Sequence, residues 1–196
     1  ATMGTTGPNY FGFVNGATLP AALGAAFLTS AWDQNAALPV MSPVAAAVHD
    51  VTRGWLTDLL GLAPATDVAY VTGATVANAT CLAAARDELL AGAGWDVQAD
   101  GLFGAPPVQV VIGERAHSTL RKSLGLVGLG RDRVIVVPAD EQGRMLASEL
   151  PDLDPSAGPV LCCAQAGEVN TGAFDPFGPI ADWVAERSGW LHVDGA

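Results

Sequence analysis

Three short segments of the chain carry residue types that can bind or move charged groups. The first, TGATVAN at residues 72–78, places small residues and hydroxyls where a helical pattern begins. Small residues let backbone N–H groups approach a phosphate at a helix N-terminus, and Thr75 adds a hydroxyl. A tight turn between a strand and a helix, with threonine as the N-cap, accounts for the same residues equally well.

The other two segments place a histidine and an aspartate after apolar runs. His117 opens a helical pattern, where it can stack on a planar cofactor or move a proton. A helix-capping or core histidine is the alternative. Asp194 ends the run WLHVD, and a carboxylate is costly to bury unless it faces a cation, a metal or a protonated ring nitrogen. A solvated residue at the end of a strand is the alternative there.

Short apolar runs alternate with helical patterns and must position these segments. The predicted strands are Val68–Val71, Val108–Ile112, Val134–Val137, Val160–Ala164 and Trp190–Val193. Helices are predicted from Leu19 to Ala31, from Ser42-Pro43 to Gly61, from about 74 to 90, from His117 to about Val127, and after Asp175-Pro176. Ser42 is the predicted N-cap of the second helix, and Asp175-Pro176 the predicted cap of the last. This alternation predicts an α/β fold with a mostly parallel sheet covered on both faces. Ligands of such sheets bind beyond the carboxyl ends of the strands, where all three segments fall.

The composition excludes several classes of function. Half of the 196 residues are hydrophobic, which excludes disorder, and the formal charge of −11 argues against nucleic acid and anionic membrane as partners. The three cysteines show no CxxC spacing, so free thiols are expected rather than disulfides or structural zinc. No metal site, signal peptide or membrane span is predicted, and the expected location is cytoplasmic.

A short-chain dehydrogenase is the rival interpretation of VAYVTGAT at residues 68–75. That class needs a glycine pattern that continues into the helix and a Tyr-x-x-x-Lys pair. Here the glycine pattern stops after Gly73, and neither Tyr10 nor Tyr70 is followed by lysine four residues later. The dehydrogenase interpretation is therefore disfavoured.

Taken in order, three stretches resemble the group II pyridoxal-phosphate-dependent amino acid decarboxylases, the glutamate and aromatic-L-amino-acid decarboxylase-like family of fold type I. They are TGATVANATCLAAAR, ERAHSTLRKSLGLVGLG and AGEVNTGAFDPFGPIADWVAERSGWLHVDGA. The resemblance implies the aspartate-aminotransferase-like large domain, incomplete in this chain. Residues 1–61 would be an N-terminal segment with helices that pack on this domain, and residues 62–196 its first part.

The resemblance also implies roles for single residues. Ala74 and Thr75 would bind the phosphate of pyridoxal 5′-phosphate. His117 would stack on the pyridine ring near the reacting carbon, and Asp194 would pair with the ring nitrogen. Three further residues would complete the site: Ala196 on the opposite ring face, His192 in support, and Asn170 (with Thr171) in place of hydroxyls that the family often carries at Gly167-Glu168-Val169.

The activity implied is decarboxylation of an L-amino acid by a homodimer, with the substrate unspecified. Phe11, Phe13, Asn15 and Trp32 are candidates for the substrate pocket, and packing under the sheet is the alternative for Phe11 and Trp32.

The chemistry of this family also needs a Schiff-base lysine, and the only lysine is Lys122, five residues after His117 in a predicted surface helix. We therefore expect that this chain lacks the Schiff-base lysine and is inactive alone. A fragment, half of a split enzyme and a degenerate paralogue are the three explanations, and the fragment is favoured. The alternative function is a non-catalytic remnant that binds pyridoxal phosphate or serves in dimerisation.

Overall fold

The computed structural model describes residues 3–10, 12–14 and 18–196. The chain divides into two compact units, Ala1–Val68 and Ala69–Ala196. Phe11 and Asn15, two of the candidates for the substrate pocket, lie outside the described residues. The other two, Phe13 and Trp32, belong to the first unit, where both side chains are exposed.

Among its described residues, the first unit contains two α-helices, each with proline in its first turn. Helix α1 is Pro20–Trp32 and α2 is Pro43–Leu59, and a 3-10 turn at Gly12–Val14 precedes them. Proline suits the first turn because the N–H that it lacks would have no partner within the helix. The Ser42 hydroxyl accepts a hydrogen bond from the Ala45 N–H (3.4 Å), which confirms the predicted N-cap. Gly61 follows the end of α2 with a φ of 64°, the left-handed conformation that favours glycine after a helix.

The second unit is built on a four-stranded parallel sheet. Its strands are β1 Gln109–Gly113, β2 Ile135–Val137, β3 Val160–Gln165 and β4 Trp190–Asp194, in the order β2-β1-β3-β4. The pairing is in register, so that Cys163 of β3 lies beside His192 of β4, and Gln165 beside Asp194. All pairs being parallel, the carboxyl ends of β1, β3 and β4 meet at one edge.

Helices cover both faces of this sheet. They are α3 Ala74–Gly92, the short α4 Val97–Asp100, α5 Ser118–Leu126 and α6 Phe177–Glu186, with 3-10 turns at Ala147–Glu149 and Pro155–Ala157. Apolar residues of α3 and α5 pack on β1 and β3 to form one core, and α6 packs on the other face with Met145 to form a second. The predicted α/β architecture with a parallel sheet covered on both faces is confirmed.

The predicted strand at Val68–Val71 is wrong. These residues form neither a strand nor a helix. A β-favouring run becomes a strand only where it is hydrogen-bonded into a sheet, and the described four-stranded sheet does not include these residues.

The predicted cap of the last helix by Asp175 is also wrong. Pro176 occupies the N-cap position of α6 and makes no side-chain cap hydrogen bond. The buried Asp175 carboxylate instead accepts from the backbone N–H groups of Met145 and Gln165, both at 2.7 Å. Asp175 therefore ties the loop that holds Met145 to the end of β3.

Candidate functional site

A small pocket opens at the carboxyl edge of the sheet. It is lined by Gly113, Arg115, Ala116, Leu120, Gly143, Cys163, Ala164, Gln165, Asp175 and Asp194. The pocket brings Asp194 together with the segment that immediately precedes His117. Two of the three segments singled out in the sequence therefore adjoin this pocket.

Asp194 is buried at the end of β4, with 6% of its surface exposed. Its Oδ2 accepts a hydrogen bond from Asn78 Nδ2 (3.2 Å), and its Oδ1 accepts one from the Ala196 N–H (3.2 Å). A carboxylate has about four lone-pair sites, so these two bonds leave acceptor capacity for a third donor. The alternative of a solvated residue at the end of a strand is wrong.

Asn78 and His192 continue the hydrogen-bond network behind Asp194. Both residues are buried, and His192 Nε2 lies 2.8 Å from Asn78 Oδ1. Burial lowers the pKa of His192, and the charge of Asp194 opposes that shift. Since Asn78 Oδ1 can only accept, Nε2 of His192 carries the proton in this network.

Asn78 is the site residue that sequence reasoning missed. It is the last residue of the segment TGATVAN, whose small residues and hydroxyl suggest only a phosphate site. A signal exists, since Asn78 shares a helix face with the fully buried Leu82 and Ala85. An amide at such a position needs hydrogen-bond partners, and a search for them points to another buried polar residue.

The N-terminus of α3 lies one helical turn before Asn78. Ala74 and Thr75 are its first residues, and the first N–H groups of a helix have no acceptor within it. A Cβ added at Gly73 would meet nothing within 4 Å, so space is open in front of the helix. The Thr75 carbonyl accepts a hydrogen bond from the Ser123 hydroxyl (3.0 Å), which joins α3 to α5.

His117 is the N-cap of α5. Its Nδ1 lies 2.8 Å from the Thr119 hydroxyl and accepts from the Thr119 N–H (3.3 Å). The capping alternative therefore describes its local structure. The residue is exposed and follows the carboxyl end of β1 by four residues.

Asn170 donates to a neighbouring carboxylate in its own loop. Its backbone N–H and Nδ2 both bond Glu168, at 2.7 and 3.0 Å, and the Thr171 N–H adds a third bond at 2.9 Å. Hydrogen bonds from the backbone of Asn170 and Thr171 lower the pKa of Glu168. The loop at Gly167-Glu168-Val169, where the sequence differs from the family's usual pattern, is thus stabilised by hydrogen bonds to Glu168.

Lys122 lies on the exposed side of α5. The buried face of that helix is formed by Leu120, Ser123 and Leu124. With 3.6 residues per turn, residue 122 projects away from this face. The structure therefore does not bring Lys122 toward the core of the sheet.

Within residues 3–10, 12–14 and 18–196, no group of three or more His, Cys, Asp and Glu side chains could hold a metal ion. In the same part of the chain, none of the helices is both long and apolar enough for a membrane crossing.

These features define an α/β protein with a small pocket at the carboxyl edge of a parallel sheet. Residues 2–196 match the family model of the pyridoxal-dependent decarboxylase conserved domain, and the chain belongs to that family. The match confirms the predicted family, its fold and pyridoxal phosphate as its cofactor.

Known relatives agree with this assignment. The chain is 35% identical over 182 residues to L-2,4-diaminobutyrate decarboxylase of Rhizobium meliloti, covering 89% of this chain and 34% of the relative. It is 30% identical over 178 residues to the acidic amino acid decarboxylase GADL1 of Bos taurus, covering 88% and 33%. The chain thus spans about a third of the length of these curated relatives.

A solved structure shows the same fold. It is the glutamate decarboxylase domain of diaminobutyrate-pyruvate transaminase and L-2,4-diaminobutyrate decarboxylase from Vibrio parahaemolyticus, with a TM-score of 0.83 and 28% identity. The superposition covers 92% of this chain and 41% of that one.

Proposed function

We propose that this chain forms the first part of the cofactor-binding domain of a pyridoxal-phosphate-dependent L-amino acid decarboxylase. The observation that carries the proposal is the buried Asp194 carboxylate at the carboxyl edge, linked through Asn78 to the helix whose N-terminus faces open space. Residues 62–196 would supply the cofactor site, and residues 1–61 an N-terminal segment that packs on it.

The residues present fit the two ends of the cofactor. Pyridoxal phosphate carries a phosphate dianion at one end and a ring nitrogen that can be protonated at the other. The first N–H groups of α3, at Ala74 and Thr75, suit the phosphate because a helix N-terminus is partly positive. The spare acceptor capacity of Asp194 suits a protonated ring nitrogen.

When bound, the cofactor supplies an electron sink for the charge that remains at the substrate carbon after CO₂ leaves. Asp194 contributes by holding a proton on the ring nitrogen, because a buried carboxylate favours a positive neighbour. His117 would stack on the ring and hold or move a proton near the reacting carbon, and Ala196 would pack on the opposite ring face. Asn170 would stand near the cofactor through its loop.

We also propose that Lys122 does not carry the cofactor and that this chain alone does not turn over substrate. The exposed position of Lys122 on α5 supports this. The same observation favours the second candidate function, a module that binds pyridoxal phosphate without catalysis or serves in dimerisation. A homodimer is part of the proposal, supported by the absence of buried residues on α1.

Binding of pyridoxal phosphate to the full chain tests the proposal. We expect saturable binding, followed by cofactor absorbance, that Asp194→Ala weakens at least about tenfold because a buried charge partner is lost. Asp152→Ala is the matched control, since the Asp152 side chain is fully exposed and its removal should leave the affinity unchanged.

Borohydride reduction followed by mass spectrometry tests the proposal for Lys122. The expected result is no cofactor adduct on this residue. A stoichiometric adduct on Lys122 would refute that part of the proposal, whereas equal affinities of Asp194→Ala and Asp152→Ala would refute the role of Asp194.

A further inference from the structure

We propose that Asn78 is a positioning residue: together with His192 it forms a directional hydrogen-bond chain that orients the Asp194 carboxylate. The inference rests on the proposed function, because it concerns how the acid is presented to a ring nitrogen. It adds a residue from α3 that none of the roles implied by the family resemblance includes.

The direction of the chain follows from the chemistry of an amide. Asn78 has one acceptor oxygen and one donor nitrogen, and the two face different partners: Oδ1 faces His192 Nε2 at 2.8 Å, and Nδ2 faces Asp194 Oδ2 at 3.2 Å. A flipped amide would place its oxygen against an oxygen of Asp194. The Asp194 carboxylate, which can only accept, therefore fixes the orientation of the amide, and the amide oxygen requires the proton of a neutral His192 on Nε2.

Burial makes the loss of any of these hydrogen bonds costly. The exposed fraction is 4% for Asn78 and 6% for both His192 and Asp194. Water therefore does not readily replace a lost hydrogen-bond partner. Cys163, in register with His192 on β3, is buried as well, and burial raises the pKa of its thiol well above the usual value. Asp194 is the acceptor in this cluster, and the uncharged Asn78 amide donates to it.

The two groups that donate to Asp194, the Asn78 amide and the Ala196 N–H, are uncharged, so the carboxylate can still pair with a cation. Were His192 a cation in direct contact with the carboxylate, it would compete with a protonated ring nitrogen for the same charge. Here His192 acts through the amide, and burial lowers its pKa so that the neutral form is favoured. The chain therefore orients Asp194 without neutralising it.

Asn78 also sets a distance. It lies one turn along α3 from Ala74 and Thr75, the residues proposed for the phosphate, and 116 residues from Asp194 in sequence. A single rigid helix would then carry both the phosphate site and the residue that orients the acid. Asn78 would keep the two ends of the cofactor site at a fixed spacing.

The experiment uses ¹⁵N NMR of the His192 ring and the Asn78 side-chain amide in the full chain without cofactor. The wild type should show neutral His192 at pH 7 with its proton on Nε2, and an Asn78 amide proton protected from exchange. In the nearly isosteric Asn78→Asp, the acceptor for His192 is kept and the donor to Asp194 is lost. We expect the pKa of His192 to rise by about one unit or more, because a second carboxylate now faces the ring.

Two further variants separate positioning from a purely structural role. Asn78→Leu should speed exchange of the Nε2 proton at least about tenfold, since its acceptor is gone. The control is Ser123→Ala, which removes a fully buried hydroxyl that donates to the Thr75 and Thr119 carbonyls. It should leave the His192 signals unchanged.

Specific NMR results would overturn the role of Asn78. A His192 proton on Nδ1 in the wild type, an unprotected Asn78 amide, or His192 signals unchanged in folded Asn78→Asp would each overturn the inference. If Asn78→Asp does not fold, the two wild-type measurements still decide it. With ¹⁵N-labelled pyridoxal phosphate added, the bound ring nitrogen should be protonated in the wild type and less so in Asn78→Leu. Failure of the wild type to bind would instead count against the proposed function alone, because the first measurements need no cofactor.

Discussion

Two opposing effects on the pKa of His192 make the stability of the second unit depend on this residue. Burial favours the neutral imidazole and is the larger effect, while the nearby charge of Asp194 favours the protonated form. The folded-state pKa therefore lies below the ordinary value of 6.5. A proton that binds the unfolded chain more readily than the folded one favours unfolding.

The free energy of unfolding should consequently depend on pH through this residue. Its contribution is complete above about pH 6.5 and is lost as the pH falls toward the folded-state pKa. Urea unfolding from pH 7.5 to 5 should show this loss, and His192→Gln, which keeps a donor for Asn78 Oδ1, should show a smaller one. The other two histidines are present in both proteins, so their effects cancel. Parallel pH profiles of the two proteins would contradict this assignment.

Helix α3 connects the two ends of the proposed site. Substitutions before its N-terminus distinguish effects on folding stability from effects on cofactor binding. Gly73 precedes the helix with extended backbone and open space around its Cβ position. Aspartate and serine are both better N-cap residues than alanine, and exceed glycine by a few tenths of a kcal/mol. Only aspartate would bring a negative charge to the place proposed for a phosphate.

Substitutions at Gly73 should therefore have opposite effects on folding and on binding. Gly73→Asp is expected to unfold at an equal or slightly higher urea concentration than the wild type, yet to bind pyridoxal phosphate about tenfold more weakly through charge repulsion. Gly73→Ser is the matched control, with the same stability and near-normal affinity. If Gly73→Asp bound as tightly as Gly73→Ser, the phosphate would not lie at this helix.

On the scale of the whole molecule, the two units differ in how they bury apolar groups. The sheet unit has a core on each face, whereas α1 buries none of its residues and α2 buries only Thr57. Most of the large apolar side chains described in the first unit are exposed, in a chain that spans about a third of the length of its curated relatives. Such surface is typical of segments that pack against further protein.

Thiol reactivity should report the integrity of the sheet core. Burial, with the charge of Asp175, raises the pKa of Cys162 to about 12, and burial raises that of Cys163 well above its ordinary value. Cys81 is exposed. We expect one thiol to react rapidly with Ellman's reagent at pH 8 in the native chain and three in guanidinium chloride. The control Cys81→Ser should show no rapid reaction, and two or more fast thiols in the native wild type would show that the core is open.

Local patterns predicted most elements of this fold. The apolar runs at Val108–Ile112 and Val160–Ala164 became buried parallel strands, because their side chains face helices on both sides. Val68–Val71 is also rich in β-favouring residues but does not belong to the described sheet, because pairing is not encoded in four residues.

The site was predictable only in part, for a related reason. Asp194 stood out as a carboxylate at the end of an apolar strand, whereas its partner Asn78 lies 116 residues earlier. A contact that distant depends on how α3 packs against β4, which the spacing of residues along the chain does not contain. His192 and Asp194 share one face of β4 by simple alternation, yet only the fold shows that α3 covers that face.

The most direct test of the proposed cofactor site is a crystal structure of the full chain grown with pyridoxal phosphate. We expect the pyridine nitrogen at a hydrogen-bond distance of about 2.8 Å from an Asp194 carboxylate oxygen. The phosphate is expected at the N–H groups of Ala74 and Thr75. A cofactor bound with its ring nitrogen facing any other group, or no cofactor at saturating concentration, would contradict the proposed site.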